Sequence, residues 1–150
     1  MKELAKNVKN GVTDVNTIYK REEIGDFSTE FLDNNIESWK DKWDINFGGD
    51  LAQQKFVSPS KYIFLLNYAR VYKDEEVFNH VKKTLDIISN SGLNDFIEGG
   101  FYRYTVDSEW KIPHFEKMLY DQAQMISMYS QAYKLYTVSY THLTLPTNDQ

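Results

Sequence analysis

Two apolar stripes at helical spacing, parted by two polar residues, constrain this chain more than anything else in it. Tyr62, Leu65, Leu66, Ala69 and Tyr72 fall on one face of a helix; Val77, Phe78, Val81, Leu85 and Ile88 fall on one face of the next. Lys73-Asp74 between them leaves room for a tight reversal, so an antiparallel helical hairpin is expected. An earlier stripe, Phe31, Leu32, Ile36, Trp39 and Trp43, predicts a helix over 29–43 with Ser28 or Thr29 as its cap. Asp44 to Ser60, with Gly48-Gly49 and Pro59, has no sustained period and reads as a long loop of the kind that often carries function. Ser91-Gly92 is expected to stop the second hairpin helix, with the glycine in the left-handed region. The period then changes. Phe101–Val106 and Glu109–Ile112, around Asp107-Ser108, predict a short β-hairpin. Pro113 suits the first position of a last helix, whose face Phe115, Leu119, Ile126 and Tyr133 runs to about Thr137. One or two short helices are expected before Ser28. The fold class is therefore all-α with one short β-hairpin before the last helix.

Composition narrows the function classes. Hydrophobic residues at 41%, with 15% aromatic, supply a core, and a net charge of −5 without any basic block disfavours nucleic acid and anionic membranes as partners. There is no cysteine, so disulfides, thiolate metal sites and dithiol chemistry are impossible within these residues. The polar start Met1-Lys2-Glu3-Leu4-Ala5-Lys6 lacks the apolar centre of a signal peptide, and the expected location is the cytoplasm. The run Val138 to Thr147, VSYTHLTLPT, resembles the translated sequence of a library adaptor. On that reading residues 1–137 are the natural part of a longer protein, 138–150 are not native, and His142 carries no role.

The densest chemistry lies between Gly99 and Asp121. Arg103, Asp107, Glu109, Lys111, His114, Glu116, Lys117 and Asp121 are interleaved there with Tyr102, Tyr104, Trp110 and Tyr120. On a helix beginning at Pro113, His114, Lys117 and Asp121 would share one face, with Glu116 and Tyr120 on another. Exposed N–H groups of a first turn favour Glu116 as an anion and a neutral His114, a usable acid–base pair. The bland reading is equally physical: a dipole-complementing glutamate, a surface Lys117–Asp121 pair and a capping histidine. The aromatic residues serve either as core or as stacking surfaces. Gly48-Gly49 and Gly99-Gly100 lack the lysine and hydroxyl of a phosphate loop and are explained by turns. His80, set among Val77, Phe78 and Val81, reads as structural. No His and carboxylate set has metal-ligand spacing, so neither a metal nor a cofactor is expected.

The run from Gly99 to Asp107, then Trp110, then Pro113-His114-Phe115-Glu116-Lys117-Met118-Leu119-Tyr120-Asp121, resembles the signature of the YyaL family, whose members are called thioredoxin-domain-containing or spermatogenesis-associated-protein-like. Gly48-Gly49, Lys55-Phe56, Ser58-Pro59 and Phe64-Leu65-Leu66 extend the likeness over roughly residues 30–137. The resemblance implies a thioredoxin-like domain, covalently linked in the intact protein, followed by an (α/α)6 toroid of helical hairpins. That toroid is similar to N-acylglucosamine 2-epimerases and six-hairpin glycosidases, and this chain would be an early slice of it. It further implies a pocket built from loops and helix ends and a small-molecule, sugar-like ligand. His114, Glu116 and Asp107 would then be acid and base, with Arg103, Tyr104, Trp110, Asp121 and Tyr102 contacting substrate. A non-catalytic role in presenting ligand or client to the thioredoxin-like domain, and a purely structural role, are the alternatives. The sequence departs from the family pattern at Tyr102, where histidine is usual, at Glu98, where glycine is usual, and at Gln54, where proline is usual.

Overall fold

The computed structural model describes residues 28–136 together with Glu3, Lys6 and Asn7; the expectations for the segment before Ser28 and for the tail fall outside these. The chain divides into one unit over Met1–Ile36 and another over Glu37–Gln150. Helix α1 spans Thr29–Lys40, and Ser28 caps it, its hydroxyl accepting from the Phe31 amide at 3.2 Å. The helix stops three residues earlier than expected. Trp43 leaves helical geometry to bridge Asp50 across the following loop.

The second unit is built on the expected hairpin. Helix α2 (Pro59–Tyr72) begins with proline at its first turn and ends at Lys73, whose φ of 56° makes the left-handed stop. Asp74 then caps α3 (Glu75–Ser89), accepting from the Val77 amide at 3.0 Å. Helix α4 (Leu119–Tyr136) packs on both. Leu65, Leu66, Val77, Val81, Leu85, Ile88 and Met128 form the core between them, all fully buried. Tyr129 and Tyr136 donate their hydroxyls to the Leu85 and Phe78 carbonyls, tying α4 to α3.

Three expectations are corrected. Gly92 does not adopt the left-handed region; a Cβ there would stand 2.2 Å from the Lys111 carbonyl oxygen, so glycine is needed for close approach. The β-hairpin is rearranged: strand β1 (Lys55–Phe56) pairs antiparallel with β2 (Tyr104–Thr105), and the other edge of β2 meets a single bridge to Pro113. Residues 107–112 form a loop because the Asp107 carboxylate gathers the amides of Glu109, Lys111 and Ile112. Helix does not resume at Pro113 but at Leu119. The His114 amide donates to the Tyr104 carbonyl, and the Arg103 amide to the Glu116 carbonyl, so 113–116 lies beside β2 as a non-helical arm that bends at Phe115, where the Glu116 amide donates to the His114 carbonyl.

A repeat organises the loops. Asp44-x-x-x-Gly48-Gly49 and Asp95-x-x-x-Gly99-Gly100 stand 51 positions apart and fold alike. In each, the aspartate amide donates to the second glycine's carbonyl and the first glycine's amide to the aspartate carbonyl, all at 2.9 Å. In each, one carboxylate oxygen accepts the two amides following, at Asn46 and Phe47 or at Ile97 and Glu98. All four glycines have positive φ, a conformation available without strain only to them. A lysine clamps each loop from outside it. Lys55 reaches Asp44 at 2.5 Å and the Gly48 carbonyl at 2.6 Å; Lys117 reaches Asp95 at 2.5 Å and the Gly99 carbonyl at 3.0 Å.

Candidate functional site

Strand β2 places Tyr104 in the middle of a ring ladder. Phe56, its partner on β1, stacks on it with centroids 4.6 Å apart and planes 16° apart; His114, on the opposite edge, stacks at 4.8 Å and 12°. Both spacings match the ~4.8 Å between neighbouring strands, as expected when rings on adjacent strands face the same side of a sheet. Tyr104 is therefore covered on both faces. The outward faces of Phe56 and His114, each about half exposed, are what the ladder offers to solvent.

Arg103 and Glu116 oppose each other beside the ladder and form an ion pair at 3.2 Å, with Glu116 also 3.6 Å from His114 Nδ1. Glu116 raises the guanidinium's affinity for its proton, so Arg103 is a fixed cation here. Asp121, in the first turn of α4, completes the group. Burial, and then the neighbouring Glu116, push its carboxyl above the usual range against the pull of Arg103, and its Oδ2 is buried without a hydrogen-bond partner. The structure thus brings together His114, Glu116, Arg103, Tyr104 and Asp121.

The remaining expected site residues stand elsewhere. Asp107 is occupied by the backbone amides it organises; burial opposes its charge, but those donors hold the carboxyl below its ordinary value and leave it a poor acid or base. Trp110 is not a surface for stacking. It is 1% exposed, its Nε1 donates to the Phe47 carbonyl at 3.0 Å, and its ring lies under Gly49 and 5.4 Å from the Lys55 ammonium. Its φ of 63° is unusual for a bulky residue and persists because these contacts over-determine it. Tyr102 donates to Asp95 at 3.0 Å, and Lys117 lies 5.1 Å over its ring, so both belong to the second clamped loop. Lys117, Ile97, Glu98 and Tyr102 hold the Asp95 carboxyl far below the usual range. Phe56 was not among the expected residues; it lies 58 positions before His114, and no spacing rule connects the two. The two clamped loops do have a sequence signal, the Asp-x-x-x-Gly-Gly repeat itself.

Among the described residues no group of His, Cys, Asp and Glu gathers to hold a metal ion, and no helix is long and apolar enough to cross a membrane. A surface groove of about 530 Å³ runs along α3, lined by Asn79, Lys82, Lys83, Asp86, Ile87 and Asn90, and shares no residue with the cluster. Its lining is that of a solvated helix face.

No family model matches the chain. Over 97 residues, 62% of its length, the chain is 40% identical to an uncharacterised protein of Caenorhabditis elegans. Over the same length it is 38% identical to spermatogenesis-associated protein 20 of Homo sapiens and 40% identical to that of Rattus norvegicus. The match takes up 12–13% of the length of these relatives. The likeness to spermatogenesis-associated protein 20 agrees with the resemblance carried by the Gly99–Asp121 segment.

Proposed function

We propose that this chain is a slice of a helical toroid whose exposed cluster binds, and in the intact protein processes, a carbohydrate. The observation that carries the reading is the half-exposed ring ladder ending in His114 beside the Arg103–Glu116 pair. A sugar ring has an apolar face that packs on an aromatic end face, and hydroxyls that pair with a guanidinium and a carboxylate. His114 and Glu116 act as proton donor and acceptor in this reading, and Arg103 orients the substrate. The intact protein works in the cytoplasm, where a linked thioredoxin-like domain is its covalent neighbour.

A second reading has its own support. Tyr102, Lys117 and Asp95 form an ordering network, as do Lys55, Asp44 and Trp110, so much of the motif-bearing segment builds the fold around the cluster. On that reading the domain presents a ligand or client without reacting with it. Calorimetric titration with N-acetylglucosamine separates the two from a purely structural role. Binding by the unmodified chain, weakened tenfold or more (about 1.4 kcal/mol) in both Arg103→Ala and His114→Ala, is the expected result. Equal affinity in all three proteins would refute the carbohydrate reading.

A further inference from the structure

The carboxyl of Asp121 has surroundings unlike those of the other acids near the site. Its Oδ2 is buried and accepts no hydrogen bond, one of three such side-chain atoms among the described residues, with Trp43 Nε1 and His80 Nε2. Arg103, from the segment entering β2, and Glu116, from the arm entering α4, are the charged groups that act on it, with Tyr120 beside Arg103 on its own helix. Arg103 is already paired with Glu116, and no ion pair within 4.0 Å reaches Asp121. A buried carboxyl oxygen without a donor disfavours the carboxylate; the acid form carries its own donor and has a lone pair left to accept. The two acids of the cluster are thus held in opposite roles, the arrangement by which paired carboxyls divide donor from acceptor.

We propose that Asp121 is the proton-bearing carboxyl of the cluster, donating a hydrogen bond to a neutral polyhydroxylated ligand while Glu116, paired with Arg103, accepts one. The proposal rests on the carbohydrate reading and narrows it. A sugar hydroxyl both donates and accepts, so one such ligand satisfies both carboxyls. An anionic ligand finds the one guanidinium already neutralised, and a cationic ligand finds no counter-charge at Asp121. Neutral sugars are selected over uronic acids and over amino sugars with a free ammonium group.

Carboxyl-carbon NMR on the full chain, with N-acetylglucosamine titrated at pH 5 and pH 8, tests this. Asp121 is expected to titrate above the ordinary aspartate range and to move down in Glu116→Gln. Affinity should fall about tenfold as the pH rises through the Asp121 titration and the donor is lost. Asp121→Asn, whose amide donates at both pH values, should bind equally at both, and Asp121→Ala should bind weakly at both; near-ultraviolet circular dichroism checks that each variant is folded. Titration of Asp121 within or below the ordinary range would overturn the proposal. So would a pH dependence that persists in Asp121→Asn, which would assign it to His114. Neither result touches the carbohydrate reading. A raised Asp121 titration with no saccharide bound at either pH would instead overturn the ligand class and the carbohydrate reading together.

Discussion

Lys55 shows how strongly one side chain can be committed to the fold. It is 1% exposed, and its ammonium is matched by Asp44, the Gly48 carbonyl and the Trp110 ring. Removing one partner of such a pair leaves an uncompensated buried charge, which typically costs ~3–5 kcal/mol. Lys55→Met is therefore expected to lose several kcal/mol in urea unfolding, with Asp44→Asn/Lys55→Met recovering part of the loss. His80 makes a different prediction. Its ring stacks on Trp43 at 3.9 Å and 2°, and burial, followed by the nearby Lys61, lowers its pKa from 6.5 to about 4. Between those two values the unfolded chain holds a proton that the folded chain does not, so stability falls as pH drops from 6.5 towards 4. His80→Phe should flatten that part of a stability–pH curve measured by denaturant titration. An unchanged slope would mean the ring is not desolvated. Below that window the Asp44 and Asp95 carboxyls, both held below their ordinary values, take up protons in turn and the clamped loops lose their contribution.

At the scale of elements, Gly92 and the loop glycines carry the sharpest expectation. A methyl group on Gly92 would meet the Lys111 carbonyl, and one on Gly49 would meet Trp110 Cζ2 at 2.8 Å with φ at +73°. Gly49→Ala and Gly92→Ala should each cost roughly 1–3 kcal/mol, the range for forced overpacking, read as a lowered midpoint of thermal unfolding. These contacts also explain how much of the fold was legible. The helical hairpin was readable because its stripes bury the faces they predict, and Lys73-Asp74 supplies both a stop and a cap. The last helix begins six residues late because the 113–116 arm gives its backbone groups to β2, a pairing that no local period encodes. Strand β1 was invisible for the same reason: two residues in a long loop become a strand only when β2 arrives beside them. Within the site, charge density pointed to Arg103, His114, Glu116 and Asp121, but residue type alone does not separate an exposed ring from one pinned in the core. Trp110 is pinned between Gly49 and Lys55 and Tyr104 is covered by Phe56 and His114, so the rings left open are the outer faces of Phe56 and His114.

At the scale of the molecule, large apolar side chains among the described residues remain at the surface. Ile97, Leu119 and Phe115 are 95%, 86% and 78% exposed, with Phe96, Ile45 and Leu51 exposed besides. Large exposed apolar side chains favour self-association, so the isolated chain is expected to form oligomers that grow with concentration in light scattering; a monodisperse monomer would count against the reading as part of a larger toroid. The central claim is narrower and concerns the ladder and its charged flank. Intermolecular NOEs between N-acetylglucosamine ring protons and the protein test it most directly. The account predicts contacts to His114 and to Arg103, with none to the buried Trp110. Contacts confined to the α3 groove of Lys82, Lys83 and Asp86, or a sugar that leaves the His114 ring resonances unmoved at saturation, would contradict it.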